Sequence, residues 1–204
     1  MIDTNHDTLS DVSRLEQDVR KSRFLAIAAP VNTVEEAMGF LADHHVPDAT
    51  HNCWAYKIGN QYRFNDDGEP SGTAGKPILQ AIEGQGLDAV VVLVVRWFGG
   101  IKLGAGGLVR AYGGAAAECL RVAPRRHVVA RTRVRLACAY SEQGAIRQRL
   151  AASDATDIDQ TFEGGGVCFS ARIPLDQVDT LRMAVADITR GKSQWRDERE
   201  IPEG

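Results

Sequence analysis

The sequence contains no hydrophobic run long enough to cross a membrane. Its longest apolar stretch, Ala89–Val95, has seven residues, whereas a transmembrane helix needs about 20. The N-terminus also lacks the basic and apolar regions of a secretory signal peptide, because it begins with acidic and polar residues. We therefore expect a cytoplasmic protein that makes no contact with membranes.

Paired metal-binding cysteines are also missing. No C-x-x-C pair occurs, and the four cysteines lie far apart in the sequence, at Cys53, Cys119, Cys138 and Cys168. Such spacing favours reduced thiols in the core over a disulfide or zinc framework. The densest histidine group, His44, His45 and His51, is more typical of capping or surface roles than of a metal site. We predict no metal and no cofactor.

Nucleotide-binding fingerprints are absent as well. Gly104-Ala105-Gly106 resembles the start of a dinucleotide-binding turn, but Val109 stands where the third glycine belongs. Gly75-Lys76 is followed by Pro77 rather than by the serine or threonine of a P-loop. Neither segment is therefore predicted to bind a nucleotide in one of these standard ways.

The composition is that of an ordinary soluble chain with an uneven charge distribution. The 204 residues are 44% hydrophobic and 25% charged, which fits one or two globular domains. The net charge of −3 divides into −7 over residues 1–95, +8 over residues 96–135 and −4 over residues 136–204. A basic segment in an acidic chain indicates local binding of an anion, although the arginines could also be simply solvated.

The periodicity of apolar residues predicts an α+β protein with two domains. Residues 1–17 show little periodicity and are predicted to form a loose arm. Residues 18–123 are predicted to form the first domain, with a hairpin over 51–65, a central strand over 88–98 and a helix over 105–122. Residues 124–126 are interpreted as a linker. Residues 127–198 follow the order βαββαβ, which predicts a ferredoxin-like second domain.

Two glycine-rich segments, Asn65–Gly75 and Arg96–Tyr112, each follow a strand and open a helix. Helix N-termini carry free N–H groups and partial positive charge, so each junction could hold a phosphate or carboxylate. Glycines serving only turns and close packing are the other interpretation. The candidate ligand-binding residues are Glu69, Ser71, Thr73, Lys76, Arg96, Gly99, Gly100, Lys102, Gly104 and Arg110.

The motifs D-D-G-E-P-S-G-T-A-G and R-W-F-G-G-I-K-L-G-A-G-G-L-V-R-A-Y resemble the signatures of the YigZ/IMPACT family. The resemblance covers about residues 21–121, and residues 127–198 are similar in pattern to the C-terminal domain of bacterial members. It implies an N-terminal domain with the fold of the second domain of a small-subunit ribosomal protein and of domain IV of elongation factor G. It also implies a link to translation, which eukaryotic members regulate through a protein partner.

Three functional hypotheses follow. The first is a non-enzymatic factor linked to translation, which binds structured RNA or a ribosomal surface through the basic segment from Arg96 to Arg135. The alternative is an enzyme or small-molecule binder that acts on a phosphorylated ligand at the loops 66–75 and 96–107, with Glu69 as acid or base. The third is a protein-interaction module that uses Arg131, Arg133 and Arg135. No catalytic residue is predicted.

Overall fold

The computed structural model describes residues 4–197, and the chain divides into two compact units, Met1–Val128 and Val129–Gly204. Both units mix helices and strands. The prediction of two domains that combine α and β structure is therefore confirmed.

A five-stranded antiparallel sheet forms the centre of the first unit, in the order β2-β3-β6-β4-β5. Its strands are β2 (Ser13–Val19), β3 (Ser22–Pro30), β4 (His51–Ile58), β5 (Gln61–Asn65) and β6 (Val90–Trp97). The apolar residues of β6 are buried on both faces, as the continuous hydrophobic run predicts. The hairpin of β4 and β5 lies where the sequence predicts it.

Helices cover both faces of this sheet. The helices α2 (Gly75–Gly84) and α3 (Ala105–Val122) pack on one face, and α1 (Val34–Asp43) packs on the other. The glycines of α3 were expected to allow close packing, and Gly113 meets this expectation. A Cβ at Gly113 would lie 3.4 Å from the Cβ of Pro77 in α2.

The predictions of a loose arm and of a linker are wrong. Within residues 1–17, β1 (His6–Leu9) and most of β2 are strands, while residues 1–3 lie outside the described part. The predicted linker 124–126 overlaps β7 (Arg125–Val128), which pairs antiparallel with β1. The physical reason is that β1 gains its hydrogen bonds from a distant strand, a stabilisation that no local pattern records.

The second unit follows the predicted βαββαβ order. Its elements are β8 (Arg131–Ala139), α4 (Gln143–Ala152), β9 (Thr156–Glu163), β10 (Gly166–Pro174), α5 (Val178–Thr189) and β11 (Gln194–Asp197). The sheet order is β11-β8-β10-β9, with antiparallel neighbours throughout. The predicted end of this domain, residue 198, lies outside the described residues.

The core of the second unit lies between the sheet and its two helices. Val134 and Leu136 of β8 and Phe169 of β10 pack there against Ile146 of α4 and Leu181 of α5. Because side chains alternate along a strand, the neighbouring residues of β8 and β10 face away from the helices.

In the part of the chain that the structure describes, no helix has the length and apolar character needed to cross a membrane.

Candidate functional site

A buried ion pair joins the two glycine-rich segments. The Nη1 atom of Arg96, on β6, donates a hydrogen bond to Oε1 of Glu69 at 2.5 Å, and the side chains are 5% and 4% exposed. The hydroxyl of Tyr112, on α3, donates to the same oxygen at 2.7 Å. Arg96 also contacts Ser22 of β3, whose Oγ accepts from Nη2 at 3.3 Å. The Glu69 carboxylate is thus neutralised and hydrogen-bonded inside the first unit.

Aromatic rings flank the Arg96 guanidinium. Its Cζ lies 5.5 Å from the ring centroid of Phe24 and 5.4 Å from that of Phe98, within the range of cation–π attraction. This placement contradicts the prediction that Arg96 is a cation available to a ligand. The residue is 4% exposed, and the energetic reason is that a buried carboxylate requires a paired cation.

His51 and Cys53 of β4 extend this polar cluster. The Nδ1–H group of His51 donates to the Asp67 carbonyl at 2.7 Å, and Nε2 lies 3.7 Å from Oε1 of Glu69. Burial, with a further contribution from the negative charge of Glu69, raises the pKa of the Cys53 thiol to about 12. Burial, followed by the influence of Cys53 and Glu69, also raises the pKa of Tyr112. Neither group is therefore an activated nucleophile at neutral pH.

Asp66 occupies the N-terminus of α2. Its Oδ1 accepts hydrogen bonds from the N–H groups of Ala74 at 3.0 Å and Gly75 at 2.8 Å, and its Oδ2 accepts from Gly72 at 2.7 Å. The N–H groups at this helix start were predicted to bind a phosphate or carboxylate from outside the protein. An internal carboxylate already satisfies them, so the prediction of an anion site at this junction is wrong.

The other predicted ligand-binding residues of this loop, Ser71, Thr73 and Lys76, differ in their exposure to solvent. Thr73 is buried, and its hydroxyl donates to the Pro70 carbonyl at 2.6 Å. Ser71 and Lys76 are exposed. The loop therefore brings Glu69 and Thr73 into the protein interior and leaves Ser71 and Lys76 at the surface.

The glycines of the second segment serve the backbone in different ways. A Cβ at Gly99 would lie 1.8 Å from the Lys21 carbonyl oxygen, so only glycine permits this approach of two backbones. Gly100 has φ of 88° and Gly104 has φ of 72°, values that glycine adopts without strain. Gly104 precedes α3, and no side-chain hydrogen bond caps that helix.

The surface around this helix start is cationic and partly apolar. We use the name 98–110 surface for the exposed side chains of Phe98, Ile101, Lys102, Val109 and Arg110. The guanidinium of Arg110 folds back over the first turn of α3, where its Nη1 lies 3.6 Å from the Cβ position of Gly106. Within residues 4–197, no acidic side chain forms an ion pair with Lys102 or Arg110. These two cations are free for an external anion.

The cations of the basic segment from Arg96 to Arg135 lie in different environments and in both units. Arg96 is buried, Arg121 pairs with Glu118 at 2.5 Å, and Arg131 pairs with Asp154 at 2.5 Å. The part before residue 129 belongs to the first unit and the part from Arg131 to Arg135 belongs to the second.

A group of three or more His, Cys, Asp and Glu side chains suited to a metal ion does not occur among the described residues.

Three members of the buried cluster were not predicted from the sequence. Tyr112 lies in the second motif, but no sequence pattern there indicates a hydrogen bond to Glu69. His51 lies in the histidine group that was assigned to surface roles, and Ser22 carries no sequence signal. The alternation of β4, which places His51 and Cys53 on one face, is the only local pattern that could have linked two of them.

Comparisons with known proteins match both units. The Impact N-terminal domain matches residues 20–120, and a domain of unknown function, DUF1949, matches residues 136–192. An IMPACT family member of Thermus thermophilus is 50% identical over 85% of this chain and 97% of its own length. The IMPACT family member YigZ of Escherichia coli is 36% identical over 87% of this chain and 90% of its own length.

Solved structures include a crystal structure of a hypothetical protein that is 33% identical, with a TM-score of 0.66. The match covers 94% of this chain and 96% of that chain. The similarity in three dimensions therefore extends over both units.

Proposed function

The chain belongs to the IMPACT family, and we propose that it is a non-enzymatic factor linked to translation, which binds structured RNA through the 98–110 surface. The observation that carries this proposal is the pair of exposed cations, Lys102 and Arg110, beside an uncapped helix N-terminus and without acidic partners among the described residues. Phosphate groups are the chemistry that such a surface attracts. A role in translation implies a cytoplasmic location.

The folds that we assign to the two units also support a link to translation. We assign the second unit to the ferredoxin-like fold, because its strands follow the order 4-1-3-2 when numbered within the unit. We assign the first unit to the fold of the ribosomal-protein second domain and of elongation factor G domain IV, as the family resemblance implies. Folds alone do not decide function, so the proposal depends on the exposed cations.

The alternative of an enzyme at the two loops has weaker support. Its proposed acid or base, Glu69, is bound to Arg96 and Tyr112. The nearby Cys53 thiol, with a pKa of about 12, is protonated at neutral pH. Catalysis at this position would require the buried ion pair to open first.

The test is filter binding of the full chain to structured RNA at a series of salt concentrations. We expect the combined substitutions Lys102→Gln and Arg110→Gln to weaken binding and to lower the slope of log affinity against log salt by about 2, since each lost phosphate contact lowers it by about 1. Arg14→Gln is the matched control, because Arg14 is exposed on β2 and lies on the opposite face of that strand from Gln17, which contacts α3.

Two outcomes would overturn the proposal. One is the absence of RNA binding at low salt, or equal losses in the double variant and in the Arg14 control. The other is capture of a protein partner that survives nuclease treatment and depends on Lys102 and Arg110, which would assign the 98–110 surface to a protein instead.

A further inference from the structure

A groove of about 760 Å³ lies at one end of the sheet of the second unit. It is lined by the end of β8, the turn between β9 and β10, and the start of β11. The helices α4 and α5 cover the opposite face, where Val134 and Leu136 are buried. The groove therefore opens on the helix-free face, and its volume is within the range of small-molecule sites.

Two arginines stand side by side at this groove. Arg135 of β8 and Arg196 of β11 are direct cross-strand partners, so both side chains project from the same face. Like charges in such a position are destabilising. Within residues 4–197, no ion pair with an acidic side chain compensates either arginine. Lys192 adds a third cation to the lining, and Glu142 and Glu163 add two carboxylates, so the cations exceed the carboxylates by one.

A second like-charge pair lies next to the first. Arg133 of β8 is the direct partner of Arg172 of β10. Arg172 has an acidic neighbour, Asp157, at 3.6 Å. The cationic character of this face is therefore only partly offset by the protein's own carboxylates. Arrangements that cost stability in this way are typical of functional sites.

Small side chains form the floor of the groove. Ala137, Ala139, Gly166 and Cys168 lie on the helix-free face of β8 and β10. The Oγ atom of Ser193, which also lines the groove, is buried and has no hydrogen-bond partner among the described residues. The groove thus combines room for a ligand, an unpaired hydroxyl and a cationic edge.

We propose that this groove binds a small organic phosphate, whose phosphoryl group lies between Arg135 and Arg196. Arginine favours phosphate because its planar fork of N–H donors matches two phosphate oxygens. The described lining contains no aromatic side chain, which disfavours single-stranded nucleic acid, since that ligand is held largely by base stacking. This site is independent of the 98–110 surface and of the function proposed for it.

The experiment is calorimetric titration of the full chain with glycerol 3-phosphate and with ribose 5-phosphate at low salt. We expect saturable binding at one site per chain and at least a tenfold loss of affinity in Arg135→Gln and in Arg196→Gln. The control Arg149→Gln, which changes an exposed arginine of α4, should bind within twofold of the original chain. Arg196→Gln should also raise the Tm of the free chain, because it removes a like-charge contact.

A second variant tests the shape of the groove without changing its charge. Ala137→Leu fills the floor and should abolish binding, whereas Ala145→Leu on the exposed surface of α4 should not. The proposal is overturned if neither phosphate binds saturably, or if Arg149→Gln loses affinity as much as Arg135→Gln. It is also overturned if Arg135→Gln weakens binding of structured RNA while the small phosphates do not bind.

Discussion

At the scale of single residues, Glu69 joins separate parts of the first unit. One of its oxygens accepts from Arg96 of β6 and from Tyr112 of α3, and it faces His51 of β4. The loop that carries Glu69 is thereby tied to the sheet and to a helix. A buried charge with several partners is costly to disturb, because each partner left behind must remain buried without compensation.

We expect Glu69→Gln to lower the free energy of unfolding by about 3–5 kcal/mol, because it leaves the Arg96 guanidinium buried without a counterion. Urea denaturation followed by far-UV circular dichroism measures this change. Glu118→Gln, which removes an exposed pair with Arg121, is the control and should change stability little.

A double variant separates the charge from the packing. If the loss in Glu69→Gln comes from an unpaired cation, combining Glu69→Leu with Arg96→Met should cost much less than the sum of the single changes. Additive losses would contradict this explanation.

Glu69 and Arg96 were both predicted from the sequence as ligand-binding residues, but they bind each other instead. Their types and positions indicated a place for an anion, and the anion is the protein's own carboxylate. The two residues are 27 positions apart, and no pattern of spacing records that they meet. Local sequence therefore identified the residues of the cluster better than it identified their partners.

At the scale of elements, the strands with strong local signals were predicted, whereas β1 and β7 were not. The outer ends of the β4–β5 hairpin, at residues 51 and 65, match the prediction, and the Gly59-Asn60 turn joins its two strands. The bounds of α3 also match. In contrast, β1 pairs with β7, and the contact between Asp7 and His127 spans 120 positions. Such a pairing depends on the finished fold.

Asp88 connects the turn between β4 and β5 to the start of β6. Its Oδ1 accepts from the N–H groups of Gly59 at 2.7 Å and Ala89 at 2.6 Å, and its Oδ2 pairs with Lys57 at 2.5 Å. Burial acts to raise the pKa of Asp88, but the hydrogen bonds from Lys57, Gly59 and Ala89 outweigh it and hold the pKa below its usual value.

A lowered pKa in the folded state means that ionised Asp88 stabilises the fold above the unfolded pKa of about 3.9, and that this contribution is lost as the pH falls through the folded value. We therefore expect Asp88→Asn to lower the free energy of unfolding by about 1–3 kcal/mol at pH 7. The difference should shrink as the pH is lowered below about 4.

Urea denaturation between pH 7 and pH 2 measures this dependence. Asp18→Asn, at an exposed position of β2, is the control. A difference between Asp88→Asn and the original chain that stays constant over this range would show that ionisation of Asp88 is not its cause.

At the scale of the whole molecule, each unit has its own hydrophobic core. Among the described residues, the first unit contains two clusters, one on each face of its sheet, and the second contains one cluster around Phe169. Both units have the size of independent domains. The periodicity of apolar residues predicted two domains, and the family resemblance, which covers residues 21–121 and 127–198, implied the same division.

We expect residues 1–128, expressed alone, to unfold cooperatively in urea, because the described core of this unit is complete within them. A shorter fragment, residues 1–104, is the control. It lacks α3, which contributes Leu108, Tyr112 and Leu120 to the core, and it should not fold. A fragment 1–128 without a cooperative transition would contradict independent folding of this unit.

The burial of the cysteines gives the chain a set of natural chemical labels. Cys53 and Cys119 are buried in the first unit and Cys138 is buried in the second, whereas Cys168 is partly exposed. An alkylating reagent should therefore modify Cys168 first and reach the other three thiols only when their own unit opens. Mass spectrometry of the alkylated peptides would then report the opening rate of each unit separately, without any introduced fluorophore.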